Sequence, residues 1–394
     1  MKDEKKAPKL RFKGFTDDWE QCKLSDISEK SYEKNTDNKY STVLTNSAEY
    51  GIVKQRDFFD KDIANSSNIS GYYVVRKNYF VYNPRISNQA KFGPINRNKL
   101  DESGIMSPLY LVFTVHDIDE SFLETLFQTT TWHRFMYQNG DTGARADRFA
   151  IKDSTFMSMP IKVPSLEEQH KLALAFHKLD QTITLHEEKK RQLERLKSAL
   201  LHKMFADKSG YPDVRFKGFN EAWTNRKLGN YFDYEQPTPY IVTNTNYSDK
   251  YNTPVLTAGQ SFILGYTNED TGVKFATYKE PVIIFDDFTT STHLVTFPFK
   301  VKSSAMKILT LTQKNDSMYF GYTSLQNIKY KPLNHERQWI SIFSKIKIGI
   351  PISKIEERKI GNLFERIDRL DNYFQQKIER LNLIKQSLLQ SMFI

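Results

Sequence analysis

Cysteine is nearly absent: Cys22 stands alone among 394 residues. No disulfide can close within the chain, and a reducing cytoplasm is the expected compartment. No two glycines stand one residue apart and none precedes a lysine, which excludes the dinucleotide fingerprint and the phosphate-cradling loop. No apolar run reaches the roughly 18–20 residues that a bilayer span requires. The start, MKDEKKAPK, lacks the apolar stretch of a signal peptide, so no membrane partner is expected. One cysteine and eight scattered histidines give no zinc spacing. His170 and His177, seven apart, would lie about 10 Å from each other along a helix, too far to share one ion. Asn83-Pro84-Arg85-Ile86 lacks the second proline and the aromatic of a base-clamping methyltransferase loop. Glu187-Glu188-Lys189-Lys190 reads better as solvated helical charge pairs than as a nuclease site. No Ser/His/Asp or Cys/His arrangement can be nominated. The residues therefore assign no catalytic group, no metal and no cofactor to this chain, which reads as one that recognises rather than reacts.

What is present is repetition. Residues 8–27 (PKLRFKGFTDDWEQCKLSDI) return at 212–231 (PDVRFKGFNEAWTNRKLGNY) with nine identities in twenty. Residues 165–205 return at 353–393 with twelve identities in 41. The inserts between them, about 28–160 and 232–347, share no convincing similarity. Two like frames holding unlike inserts suit a molecule that reads two different things at a fixed separation. Four parts follow: a first recognition domain over 1–160 with the conserved segment 8–27; a long helix over 161–206; a second recognition domain over 207–347 with 212–231; and a second long helix over 348–394.

Both helical segments open on a capping pattern, Ser165…Glu168 and Ser353…Glu356, in which hydroxyl and carboxylate are expected to satisfy free N–H groups reciprocally. Apolar residues then recur at steps of three and four. The first seam carries Leu172, Phe176, Leu179, Ile183, Leu193 and Leu200; the second carries Ile360, Phe364, Ile367, Phe374, Ile378, Leu381 and Leu388. Such heptads predict helices of about 40 residues, on the order of 60 Å long. His186, Lys190, Lys197, Asp371 and Lys385 interrupt the seams, and polar seam residues pin register. Antiparallel pairing of the two helices is preferred over two separate amphipathic helices, because it places equivalent domains at opposite ends with the two-fold symmetry of duplex DNA. The expected fold class is thus two mixed α+β domains separated by two long antiparallel coiled-coil helices, as a pseudo-two-fold internal repeat.

Lys plus Arg exceed Asp plus Glu by 57 to 47, a net charge of +10, which favours polyanions without proving them. The sharpest tract is 72–99, with six basic residues, six aromatics, six Asn/Gln and no acid. Lysine and arginine neutralise phosphates, while Asn, Gln and Arg bond base edges. From this tract come the expected DNA contacts Tyr82, Arg85, Asn88, Gln89, Lys91 and Arg97. The Gly140–Arg148 segment adds Thr142, Arg145 and Arg148. The second insert adds Thr289, Thr290, His293, Tyr322, Ser324 and Arg337 from its own acid-poor tract. The bland alternative makes these aromatics sheet core and the lysines a solvated face. Strands are expected at 72–75, 79–82, 109–113 and 281–285, and one helix over about 119–137.

The paired RFKGF…W…KL entries (Arg11–Leu24, Arg215–Leu228), the paired Ile-x-x-Pro exits (Ile161–Pro164, Ile348–Pro351) and the long capped helices ending Leu-Leu-x-x-Met-Phe resemble the specificity (S) subunits of type I restriction-modification systems. The resemblance covers the whole chain. It implies two target recognition domains, each reading one half of a bipartite duplex DNA site. It also implies helices that act as a ruler and dock methyltransferase (M) subunits, which recruit restriction (R) subunits. S-adenosylmethionine, ATP and Mg would then belong to M and R, not to this chain. It transfers no base-reading residue. Two other readings stay open here: a stand-alone DNA-modifying enzyme, and a coiled-coil interaction scaffold whose basic surface is incidental.

Overall fold

Each repeated entry segment pairs with the exit segment that follows its insert. In the computed structural model, which describes residues 7–58, 69–142, 147–206, 209–257, 261–332 and 337–394, strand Glu20–Lys23 lies antiparallel to Pro160–Val163. Strand Thr224–Lys227 lies antiparallel to Lys347–Ile350 in the same way. A two-stranded ribbon thus closes each insert at its base and leads directly into a long helix: Leu166–Lys203, of 38 residues, and Lys354–Met392, of 39.

The capping expectation holds in part. The Ser165 hydroxyl accepts from Glu168 N–H at 3.4 Å, but the Glu168 carboxylate does not reach back to the cap. It takes a bidentate bond from Arg11, at 2.8 and 2.6 Å. Arg215 grips Glu356 identically, at 2.6 and 2.8 Å. A guanidinium fork matches a carboxylate in two parallel bonds, an option better than a single bond to a backbone N–H. The repeated arginine therefore fastens each entry segment to the first turn of its helix.

The chain divides into two compact units, residues 1–186 with 377–394, and residues 187–376. In the first, a four-stranded antiparallel sheet has the order Ser28–Lys30, Leu111–Val115, Phe80–Tyr82, Ile95–Arg97. Two further strand pairs, Leu44–Ser47 with Gly51–Lys54 and Tyr73–Val75 with Gly104–Met106, lie outside that sheet. The expected single helix over 119–137 is two helices, Glu120–Phe127 and His133–Asn139. The Thr129 hydroxyl bonds Leu126 O at 2.6 Å and Trp132 Nε1 bonds Phe127 O at 3.2 Å, so side chains take the carbonyls that a continuing helix would use.

In the second unit, the main sheet has the order Phe232–Glu235, Met306–Leu311, Val282–Asp286, Thr292–Val295. Ile263–Thr267, Thr253–Leu256 and Lys300–Val301 form a smaller one. The main sheets thus share one topology: the strand after the entry, the strand before the insert helix, then a pair joined in sequence. In both units the helix that follows is capped alike, Asp119 accepting from Phe122 N–H and Ser317 from Phe320 N–H. Dissimilar inserts have one underlying fold, because buried strand positions demand apolarity and shape rather than particular residues.

Each unit's core includes the end of the helix that began in the other half of the sequence. In the first, Phe393 packs against Trp19, Phe122 and Phe176, with ring centroids 5.6–6.1 Å apart. In the second, Phe205 packs against Trp223, Phe320 and Phe364 at 5.4–6.2 Å. Burying one such phenyl is worth roughly 2–3 kcal/mol. The backbone follows suit, with Leu10 N–H donating to Ser391 O and Val214 N–H to Lys203 O.

Within each unit the helices run antiparallel. In the first, Leu172 and Phe176 share a core with Leu388, Met392 and Phe393, and Asp180 pairs with Lys385 at 2.6 Å. In the second, Leu193, Leu200 and Met204 share a core with Ile360, Phe364 and Ile367, and Lys197 pairs with Asp368 at 2.6 Å. Lys197 and Lys385 thus answer the one aspartate that both helices repeat. Of the remaining seam residues Ile183 and Ile378 are buried, and Leu179, Phe374 and Leu381 are half-buried.

Candidate nucleic-acid interface

In the first unit the expected contacts gather on two loops that the fold lays side by side. The loop 83–94 joins the strands Phe80–Tyr82 and Ile95–Arg97, and buried asparagines hold its base. Asn83 Nδ2 donates to Asn46 O at 2.9 Å while its Oδ1 accepts from Arg85 N–H at 3.0 Å. Asn46 Nδ2 donates to Val81 O at 2.7 Å and Asn96 Nδ2 to Asn46 Oδ1 at 2.7 Å. Gly93 closes the loop at φ +82°, where a Cβ would stand 2.0 Å from Asn83 O. The fragment Asn83-Pro84-Arg85-Ile86 is therefore a structural staple with an exposed arginine.

The second loop runs alongside. Ile86 N–H donates to Asp147 O at 3.0 Å and Phe149 N–H to Pro84 O at 2.7 Å, which sets Arg85 opposite Arg148 in an antiparallel bridge. Asp141 and Ala150 exchange backbone bonds at 3.0 and 2.6 Å, so exposed Thr142 joins the same edge. Asn88, Gln89 and Lys91 are exposed along the first loop, with Arg85 exposed and Arg148 half-buried. Arg145 lies outside the described residues. Beneath, Phe92 packs on Trp132, His133 and Phe149. Burial, aided by the charge of Lys91, lowers the His133 pKa and keeps that ring neutral at pH 7.

Two expected contacts in this unit are corrected. Tyr82 is buried at 3% exposure, stacked on Phe156 at 4.5 Å, so its ring belongs to the sheet core and cannot meet a ligand. Arg97 spends its guanidinium on Glu124 at 2.8 Å and Ser121 at 3.0 Å. The acid-free tract is in fact largely neutralised by acids from elsewhere: Arg76 pairs with Glu33, Lys77 with Asp101, and Lys99 with Glu124. Among the described residues, Arg85 and Lys91 are what remains available, Arg85 having a long 4.0 Å approach to Asp147.

In the second unit the contacts centre on the turn between strands Val282–Asp286 and Thr292–Val295. The Asp286 carboxylate accepts from Phe288 N–H at 2.8 Å and from the Thr289 hydroxyl at 2.6 Å, while Thr290 takes φ +61°. Asp287, fully buried, pairs with fully buried Lys307 at 3.0 Å. Its backbone and carboxylate accept from Gln338 and Trp339 N–H, each at 3.0 Å. This buried pair ties exposed Thr289 to exposed Arg337, which precedes the short helix Gln338–Ser341.

His293 stacks flat on Phe262 at 4.1 Å, and burial lowers its pKa despite Asp286 nearby, so it is neutral at pH 7. Tyr322 and Ser324 are not loop residues but lie on helix Met318–Gln326. Ser324 is buried, donating to Phe320 O at 2.9 Å, and is withdrawn as a contact. Tyr322 is half-buried with its hydroxyl 3.4 Å from Thr292 O, and burial pushes its pKa up to about 12. It lines, with His293, Tyr278 and Tyr319, a polar cleft of about 460 Å³.

Among the described residues, three aromatics that the sequence did not mark are each more than 70% exposed: Tyr137 in the first unit, and Phe275 and Tyr278 in the second. Every base has a π-face on which such rings stack. No spacing marks them in the sequence, since a tyrosine in a polar stretch reads the same whether it faces in or out.

Residues 16–195 match the family model described as the type I restriction modification DNA specificity domain. The type I restriction enzyme EcoR124I/EcoR124II specificity subunit of Escherichia coli is 45% identical over 167 residues, or 41% of this chain. The match spans 40% of that relative's length. The crystal structure of a type I restriction-modification S subunit from M. genitalium superposes with a TM-score of 0.66, over 98% of this chain and 99% of that one, at 14% identity. That likeness concerns fold, and it extends to the second half, which the family model does not reach. Residues 16–195 are thus similar to a type I restriction modification DNA specificity domain, and the fold of the whole chain is similar to that of an S subunit.

Proposed function

We propose that this chain is the sequence-recognition subunit of a type I restriction-modification complex and performs no chemistry itself. The insert within 1–160 reads one half of a bipartite duplex site and the insert within 207–347 reads the other. The long helices set the separation and dock M subunits, which carry S-adenosylmethionine, while R subunits join through M with ATP and Mg. The setting is cytoplasmic. One observation carries the reading: duplicate frames, each closed by the same ribbon and the same arginine–glutamate clamp, present unlike loop chemistries. In the first insert the outward set is Arg85, Asn88, Gln89, Lys91, Thr142 and Arg148. In the second it is exposed Thr289 and Arg337, with half-buried Thr290. A basic edge with adjacent amides suits phosphates and base edges together.

The test is co-expression with neighbouring M subunits and genome-wide mapping of methylated adenine. A two-part motif with a fixed gap is expected. Exchanging residues 28–160 for another insert should change one half of that motif only; a change in both halves, or methylation without sequence preference, refutes the reading.

A further inference from the structure

The two helix seams differ in polarity where His186 corresponds to Phe374, and again at one matched pair of positions where the difference is complementary. In the first unit the corresponding positions hold Ile183 and Ile378, both buried, at 7% and 9% exposure. In the second they hold Asp371 and Lys190, which pair with each other at 3.8 Å. Ile183 corresponds to Asp371, and Ile378 to Lys190, at the 188-residue shift of the repeat. Each half of the chain therefore contributes one apolar and one charged member: Ile183 and Lys190 from the first half, Asp371 and Ile378 from the second. The shared aspartate–lysine pairs and terminal phenylalanines do not discriminate. Asp180 and Lys197 of the first half match Asp368 and Lys385 of the second, and Phe205 matches Phe393.

We propose that this seam pair makes the two halves of the chain selective for one another and rejects a second copy of the same half. Were two first halves to pair antiparallel, Ile183 of one would meet Lys190 of the other, twice over. Two second halves would set Asp371 against Ile378, also twice. Each mismatch takes the cross-helix partner from a charge and sets that charge beside an apolar side chain, Lys190 keeping Glu194 of its own helix, and polar seam positions are known means of choosing coiled-coil partners. The arrangement in the native chain has neither mismatch. Because the register lysines and aspartates are common to both halves, they align the helices whichever partner is present. Among the charged seam residues, selectivity then falls to Lys190 and Asp371. The consequence is that a bipartite reader keeps two different heads: half-for-half exchange between copies, which would yield two like heads, is disfavoured.

The test uses the full chain with a protease site inserted between Asp207 and Lys208 and different tags at its ends. The folded protein is nicked, heavy and light preparations are mixed under mildly destabilising conditions, and native mass spectrometry counts the pairs. Unlike halves are expected to exceed like-half pairs by about tenfold over the statistical ratio, from two weak mismatches of a few-fold each. In Asp371→Ile, pairs of second halves should appear while pairs of first halves stay rare. In Lys190→Asp with Asp371→Lys, the preference for unlike halves should persist, because attraction within the pair is kept. Statistical pairing in the native sequence overturns the proposal, as does unchanged exclusivity in Asp371→Ile. The isoleucine substitution places in the second helix the side chain that the first carries at the same position, so the variant retains a residue this seam already accommodates.

Discussion

Replacing Arg215 by alanine tests the clamp that fastens an entry segment to its helix. Glu356 is fully buried and takes both of its strong bonds from Arg215, at 2.6 and 2.8 Å. Removing one partner of a buried pair leaves an uncompensated carboxylate, at a cost of about 3–5 kcal/mol. Two effects reduce that figure. The Arg215 side chain is 13% exposed, so water can enter where it stood. Glu356 also sits in the first turn of its helix, where the backbone dipole favours a negative charge by about 0.3–1 kcal/mol. A loss of about 2–4 kcal/mol is expected. It should be read by urea unfolding combined with hydrogen exchange, with protection falling first at residues 224–227 and 354–364. Arg215→Ala with Glu356→Gln should recover part of the loss, because the orphaned charge is gone. Arg11→Ala should behave likewise toward Glu168. A loss under about 1 kcal/mol, or a double variant no better than the single, would refute the view that these pairs anchor the frame.

Arg85→Ala and Arg148→Ala should each weaken recognition of one half-site by about 1–3 kcal/mol if they reach bases. A uniform loss over all sequences with a shallower salt dependence in binding titrations would reassign them to phosphates. Inserting four residues after Leu185 adds about 6 Å of helix and should lengthen or abolish the recognised gap; methylation mapping that returns the original gap defeats the ruler. Burial alone would raise the Glu269 pKa, but the Lys300 ion pair and donation from the Thr243 hydroxyl and the Thr243 and Asn244 N–H groups bring it down to about 2. A depressed carboxylate stabilises fully above its ordinary pKa of 4.5 and loses that contribution as pH falls toward 2. Glu269→Gln should therefore flatten the acid side of the stability curve between those values, and an identical curve would show that the carboxylate does not matter.

Sequence by itself determined the frame. Nine matched residues in the entry segments and twelve in the helices mark the same local contacts made twice. The heptad phase named Leu172, Phe176, Phe364 and Ile367 as packing residues, because 3.6 residues per turn place them on one face regardless of context. Missing glycine, cysteine and histidine patterns were legible for a similar reason, since such motifs are local. Only the tertiary structure decided the surface. Arg97 and Arg85 look alike in the chain, yet one is spent on Glu124 at 2.8 Å and the other approaches Asp147 at 4.0 Å. Tyr82 and Ser324 turn inward, and two sheets of one topology hide under sequences that do not align. Charge compensation and burial are relations between residues far apart along the chain, and a linear reading contains one member of each relation at a time.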